Sequence, residues 1–344
     1  MEKIVQTGPE SIEVQNGERP TPGPGEVLVR VHSAGICGSD AHAYEYHGGY
    51  EWTQLPRIMG HEYSGTVEEV GTDVTAFAPG DKVVEEPIHH CNECFQCKNG
   101  QENVCQNFSI TGMHRDGAYA EYVTVEADHL HAVPAEVPLR DAAITEPTSI
   151  ASRAVLQQSM AGPGHDVLVE GPGPIGVLCA VIADSIGADV LVSGLGKDAK
   201  HRLPIVEELG INTVNVAQRP VEDAVSERTD GVGFDLVFDS TGHPSGIETA
   251  IDAVRKGGQI VVVGIPGQPS EVSLAPVVRG EVDVNSSYGS KWADFEQALQ
   301  LMRNDAIDVE TIVDTSFSRA DPAAAFESFL DSEVIKPMFT FDEG

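Results

Sequence analysis

The stretch that most limits the fold is Asp166-Val-Leu-Val-Glu-Gly-Pro-Gly-Pro-Ile-Gly176, which runs on into an apolar segment reaching Ile186. Its pattern reads as a buried strand, a glycine-rich turn and a helix, in that order. A lone G-x-G-x-x-G says little; with a strand before it and a helix after it, it reads as a dinucleotide-binding turn. Gly171 permits the turn, Gly173 lets a pyrophosphate approach the backbone, and Gly176 lets helix and strand pack closely. Pro174 suits a first helical position, and with Ile175 it completes the expected cofactor contacts of the turn. A purely structural βα turn is the competing reading.

Further strands follow the same alternation with helices: Asp189–Ser193, Phe234–Ser240, Gln259–Gly264 and Glu281–Ser287. A helix is expected over 246–254 and another over 290–304. In NAD-binding sheets the second strand ends on an acid that takes the ribose 2′-hydroxyl. Here Ser193-Gly194 stands in that place, followed by Lys197 and Arg202. Without the carboxylate a 2′-phosphate is not repelled, and the two cations can pair with it. NADP is therefore favoured over NAD. Pro204 argues for a late start of the next helix, which leaves the direction of Arg202 open.

The first 150 residues differ. Alternating segments such as Glu26–Ser33, Ser64–Val70 and Gly117–Val125, punctuated by glycine and proline, read as a mostly antiparallel β domain. Within it Cys91, Cys94, Cys97 and Cys105 are spaced C-x2-C-x2-C-x7-C. Four thiolates on a tight loop suit a closed tetrahedral zinc that holds a lobe, about residues 88–108, and has no open position for chemistry. Disulfides are the alternative. Nothing resembling a signal peptide opens the chain, so a reducing, cytoplasmic setting is expected, and metal with it.

Three separate signals suggest a second metal centre. Cys37 lies in Gly35-Ile-Cys-Gly-Ser-Asp-Ala-His42, His61-Glu62 is bounded by glycines, and Glu146 precedes Pro147. Cysteine, histidine and carboxylate are sound zinc ligands, and three protein ligands plus water is the catalytic arrangement. Each signal has a plain alternative: a buried small hydrophobe for Cys37, a surface pair for His61-Glu62. Spacing alone does not show that they converge. Residues 42–58 form an aromatic loop that either lines a pocket or simply packs.

Gly60-His61-Glu62, Cys37-Gly-Ser-Asp40 and the four-cysteine lobe together resemble the zinc-containing medium-chain dehydrogenase/reductase superfamily, in particular its sorbitol (polyol) and L-threonine dehydrogenase branches. The resemblance covers nearly the full chain. It implies an α/β protein with a Rossmann dinucleotide-binding domain and a mostly β GroES-like catalytic domain. The expected division is 1–151 catalytic, 152–287 cofactor-binding and 288–344 returning to the catalytic part. Cys37 and His61 match the catalytic zinc ligands, and Glu62 and Glu146 match the carboxylates that ligate the ion or hold its water. Ser39 and His42 match a relay that carries the substrate proton to solvent. Thr241, Val263, Gly264 and Ile265 match strand ends bordering the cofactor. The implied reaction oxidises a secondary alcohol of a polyol or sugar, with hydride passing to the nicotinamide. An L-threonine or butanediol-type dehydrogenase is the runner-up, and a non-catalytic nucleotide-binding relative is a remote third. The resemblance also implies a homodimer or homotetramer.

Charge narrows the partners. Lys and Arg number 21 against 54 Asp and Glu, a formal net charge of −33. That argues against nucleic acid or an anionic membrane as partner, and no apolar run approaches a membrane span. Apolar content is too high for an acidic disordered chain. Adaptation to very high salt, where screening makes self-repulsion cheap, is the sharper reading; an ordinary solvated surface is the plainer one.

Overall fold

Val167, Leu168 and Val169 are each fully buried, with neighbours on both faces. This is why the strand Asp166–Glu170 reads as continuous apolar residues, not an alternation. In the computed structural model, which describes residues 1–47 and 49–341, it is central to a six-stranded parallel sheet. The strand order is 212–215, 189–194, 166–170, 234–239, 254–262, 283–286. The order reverses beside 166–170, so a crevice opens at the carboxyl ends of these strands. The last strand is shorter than the sequence suggests. Glu281, at φ 49°, closes the helix Ala275–Gly280, and pairing begins only at Asp283.

One buried carboxyl in this sheet has no ionic partner among the described residues. Glu170 is 3% exposed and its Oε2 accepts no hydrogen bond. Burial, and then the charge of Asp239, raises its pKa well above the usual carboxylate value. A carboxyl raised in the folded state costs stability above its unfolded pKa of about 4.3, because the folded form then holds more protons. The cost grows with pH until the folded pKa is passed. Glu170→Gln is expected to raise the melting temperature near neutral pH by a few degrees and to flatten the decline above about pH 5. Thermal melts across pH check this; a lower melting temperature would mean that the carboxylate has a stabilising role after all.

The second sheet has seven strands and organises the residues that precede the cofactor turn. Its hub is Glu26–Gly35. Along its length this strand pairs with Glu62–Val70; its first half also meets Tyr122–Glu126 and its last residues meet Pro337–Thr340, all antiparallel. The register is what matters for function. Gly35 stands opposite Glu62 on one side and Met338 on the other. Three distant stretches therefore meet at the end of one strand, and Cys37 leaves the sheet at that point. A Cβ on Gly35 would lie 2.8 Å from Glu62 Oε2 and 3.3 Å from Lys336 Cδ, so a larger residue there would have to displace this pair.

Short pairing of Ile88–His89 with Ser109–Ile110 pinches off the cysteine lobe. The lobe docks on the other half of the molecule, where Asn103 Nδ2 donates to Tyr288 O at 2.7 Å and Lys291 Nζ donates to Gly100 O. Strands Thr315–Phe317 and Pro337–Thr340 bring the tail back to the second sheet. Gly48 of the aromatic loop and residues 342–344 of this tail lie outside the described residues. Among the described residues no helix is long and apolar enough to cross a membrane.

Two local features bear on the site. A helix begins at Thr145 and ends in a wider turn over 153–157. Pro147 falls in its first turn, where a missing N–H costs nothing. The segment after Cys37 is not simply loop: Gly38–Glu45 is a helix whose N-cap is Cys37. Eight residues without an apolar stripe give little periodic signal.

Candidate active site and metal centres

The four lobe cysteines lie within 4.8 Å of one another at their sulfurs. Individual Sγ···Sγ separations are 3.4 Å for 94–97, 3.5 Å for 91–105 and 3.8 Å for 94–105. A disulfide needs about 2.05 Å, whereas thiolates 2.3 Å from a tetrahedral zinc sit about 3.8 Å apart. Backbone N–H groups point at the sulfurs as well, from Cys94 to Cys91, from Cys97 to Cys94 and from Asn107 to Cys105. The backbone N–H of Cys97, then that of Gln106, lowers the Cys94 pKa to about 6. The donor set fits a closed structural zinc.

The second centre sits where the hub strand ends. Cys37 Sγ, a ring nitrogen of His61 and a carboxylate oxygen of Glu62 lie within 4.8 Å of one another. His61 Nδ1 faces Asp40 Oδ1 at 3.4 Å, and its Nε2 is 3.4 Å from Ser39 Oγ. Asp40 is fully buried and held by Cys37 N at 3.1 Å and Tyr119 Oη–H at 2.9 Å. Burial opposes protonation of His61, but Asp40 outweighs it and raises the pKa well above the usual imidazole value. The same charge would steady a cation on the other ring nitrogen.

Glu62 has one oxygen committed and one open. Lys336 Nζ donates to its Oε2 at 2.5 Å and to Ile36 O at 3.0 Å, while Oε1 is buried without a partner among the described residues. Glu146 lines the same cleft. Burial, with the Glu62 charge adding to it, pushes Glu146 up to about 7 against His61 and Lys336. A thiol, an imidazole and an open carboxylate oxygen, with a second carboxyl nearby, fit a zinc held by protein ligands with room for substrate.

A cleft of about 820 Å³ joins this centre to the glycine turn. Cys37, Ser39, His42, His61, Glu62 and Glu146 line one end of it. Gly173, Pro174, Ile175 and Thr241 line the other, with Val263, Gly264, Ile265, Lys197 and Arg202. Gly171, Gly176, Ser193 and Gly194 lie beneath that wall: Gly171 N donates to Ser193 O at 2.9 Å, and a Cβ on Gly176 would sit 2.0 Å from Gly171 O. A Cβ on Gly173 would meet no atom within 4 Å, so there is room above it. Gly173 is also the N-cap of the helix Pro174–Ser185, whose N-terminal amides suit a phosphate. The turn fits a dinucleotide.

Arg202 departs from its expected place. Its Nε donates to Val334 O at 2.9 Å and its Nη2 to Phe329 O at 2.8 Å, with Asp198 Oδ1 3.8 Å from Nη1. Pro204 does not delay the helix, which begins at Arg202 with the proline in its first turn, and the guanidinium then ties this helix to the 329–334 turn. Lys197 is exposed beside the same strand end.

His42 lies on the helix Gly38–Glu45, one turn on from Ser39. Its ring stacks on Tyr50 at 5.8 Å between centroids. Burial, and then the charge of His47, holds its pKa below the usual imidazole value. Tyr50 and Trp52 of the aromatic loop line the cleft, and Trp52 stacks on His114 at 4.5 Å. Sequence reasoning missed Lys336 and Tyr119. A single lysine between Ile335 and Pro337 in an otherwise apolar strand start was the available signal for the first; Tyr119 offered none.

Comparison with known proteins bears on both halves. Residues 23–135 match the alcohol dehydrogenase GroES-like domain, and residues 174–304 match the zinc-binding dehydrogenase family. A sorbitol dehydrogenase of Halalkalibacterium halodurans is 35% identical over 345 residues, covering 99% of each chain. An L-threonine 3-dehydrogenase of Shewanella frigidimarina is 30% identical over 97% of each. An alcohol dehydrogenase from Escherichia coli CFT073, solved with NADH, superposes with a TM-score of 0.90 at 29% identity over 99% of each chain. With relatives this similar along almost its whole length, the chain belongs to the zinc-dependent medium-chain dehydrogenase superfamily and is an oxidoreductase that uses a nicotinamide cofactor.

Proposed function

We propose that the substrate is a neutral polyol or sugar, oxidised at a secondary hydroxyl, and that NADP is preferred to NAD. The observation that carries the substrate class is the charge of the cleft. Among its described lining residues the lysines and arginines are Lys197 and Arg202 at the cofactor end and Lys336 at the metal end. Lys336 is already paired with Glu62. His114 is held below the usual imidazole pKa by burial and then by Arg57, so it offers no steady positive charge. A carboxylate or phosphate on the substrate finds no free cation near the metal, whereas hydroxyls find Ser39, His42 and Glu146.

Zinc bound by Cys37, His61 and either Glu62 or Glu146 would supply Lewis acidity toward the substrate hydroxyl. Ser39 accepts the released proton and hands it to His42, whose lowered pKa suits a neutral acceptor. Asp40, fixed by Tyr119, keeps the His61 ring oriented. Glu146, buried and poised near 7, can hold a proton or a hydroxyl at this end of the cleft. Trp52 and Tyr50 cover the substrate against water. The preference for NADP rests on Gly194 in place of an acid and on exposed Lys197. Lobe thiols spaced for a metal and not for disulfides support a reducing, cytoplasmic setting, and a homodimer or homotetramer with functional divisions at about 151 and 287 completes the reading.

The test is initial rate over polyols, aldoses and L-threonine with each cofactor, before and after chelation. We expect polyols with NADP to turn over fastest and chelation to abolish the rate. Faster turnover of L-threonine would favour the runner-up, which the Shewanella frigidimarina relative supports. Rates that survive removal of the metal would end the zinc mechanism.

A further inference from the structure

We propose that His42, Glu45 and His47 form a third cation site, at the mouth of the cleft, where a divalent transition ion inhibits the enzyme by capturing the relay histidine. One donor atom from each of the three lies within 4.8 Å of the others. Donors about 2.0 Å from a tetrahedral zinc lie about 3.3 Å apart. Small side-chain rotations therefore close the set, and His47 Nε2 and Glu45 Oε2 are already at 2.7 Å.

The backbone builds this arrangement. His42 and Glu45 are three residues apart on one helix and so share a face. Tyr46 ends the helix in the left-handed conformation, at φ 58° and ψ 43°. A side chain other than glycine or asparagine is unfavourable there, yet the turn folds the chain back so that His47 N donates to His42 O at 3.1 Å. The two imidazole rings end 5.5 Å apart between centroids. Among the described residues His42 Nδ1 is buried without a hydrogen-bond partner, so one ring nitrogen of this histidine is unanswered. The His47 side chain is 55% exposed, so an ion can enter from solvent. Two imidazoles and one carboxylate select zinc, copper or nickel over magnesium or calcium.

The inhibitory role rests on the relay reading of His42. A neutral imidazole has one free lone pair; once that pair is given to an ion, none remains to accept the substrate proton. The site thus competes with turnover without touching the Cys37 centre.

The experiment starts from enzyme carrying two zincs per chain. Zinc chloride is titrated by calorimetry and, in parallel, against turnover, for the wild type, His47→Ala and Glu45→Gln. We expect a third equivalent to bind and turnover to fall with the same saturation. Each variant should weaken both by about tenfold or more, with inhibition read against that variant's own rate without added zinc. Absence of a third equivalent, or equal affinity in all three proteins, would overturn the site. Binding that depends on His47 while turnover is untouched would overturn the inhibitory role, and the relay reading of His42 with it. Two-zinc enzyme with no dehydrogenase activity would sink the proposed function, yet calorimetry would still report on the site.

Discussion

Lys336→Met is expected to lower stability by about 3–5 kcal/mol and to remove most turnover. Both members of the Lys336–Glu62 pair are 1% exposed, and the ammonium sits 2.5 Å from the carboxylate. Without the lysine, Glu62 keeps a charge in a site that also holds Asp40 and Glu146. It must then protonate or admit water, and either change disturbs the proposed ligand set. The double variant Glu62→Gln with Lys336→Met should recover much of the stability, because a buried ion pair is worth little relative to a neutral pair. Chemical denaturation and metal content measure the two effects separately. A single variant as stable and as zinc-loaded as the wild type would show that Glu62 does not depend on this cation.

The second large effect is expected from salt. A net charge of −33 repels itself, and the Debye length falls from about 10 Å at 0.1 M to about 3 Å at 1 M. The acids face water: Glu207 and Glu208 on the helix Arg202–Glu208, and Glu222, Asp223 and Glu227 on Val221–Arg228, are all exposed. Dilution from about 2 M to 0.1 M KCl should cost several kcal/mol, a fall in melting temperature on the order of ten degrees. Activity should fall in parallel. A melting curve that does not move across this range would leave the acidic surface as a matter of solubility alone.

The parts of the fold that local pattern dictates were readable from the residues. The strand, glycine turn and helix around Gly171–Gly176 carry their own periodicity, and the spacing of Cys91, Cys94, Cys97 and Cys105 carries its own geometry. The reactive centre was readable only as three separate fragments. What joins them is register, with Gly35 opposite both Glu62 and Met338, and register between strands so far apart is set by packing, not by any local signal. Lys336 escaped notice for that reason, since its partner is 274 residues away. Arg202 shows the converse. Its charge beside the second strand suggested a phosphate, but the carbonyls of Phe329 and Val334, invisible in local sequence, claim its guanidinium.

That long separation orders events during synthesis. Domains and local units fold as the ribosome releases them, amino-terminal parts first. The thiolate lobe has all its ligands once residue 105 is out, and can load its ion early. Cys37 and His61 emerge sooner still, yet the ammonium that balances Glu62 arrives 274 residues after it. The nascent polypeptide therefore holds Glu62 without its buried cation until residue 336 has been made, and only then can the strand-end arrangement around Gly35 close.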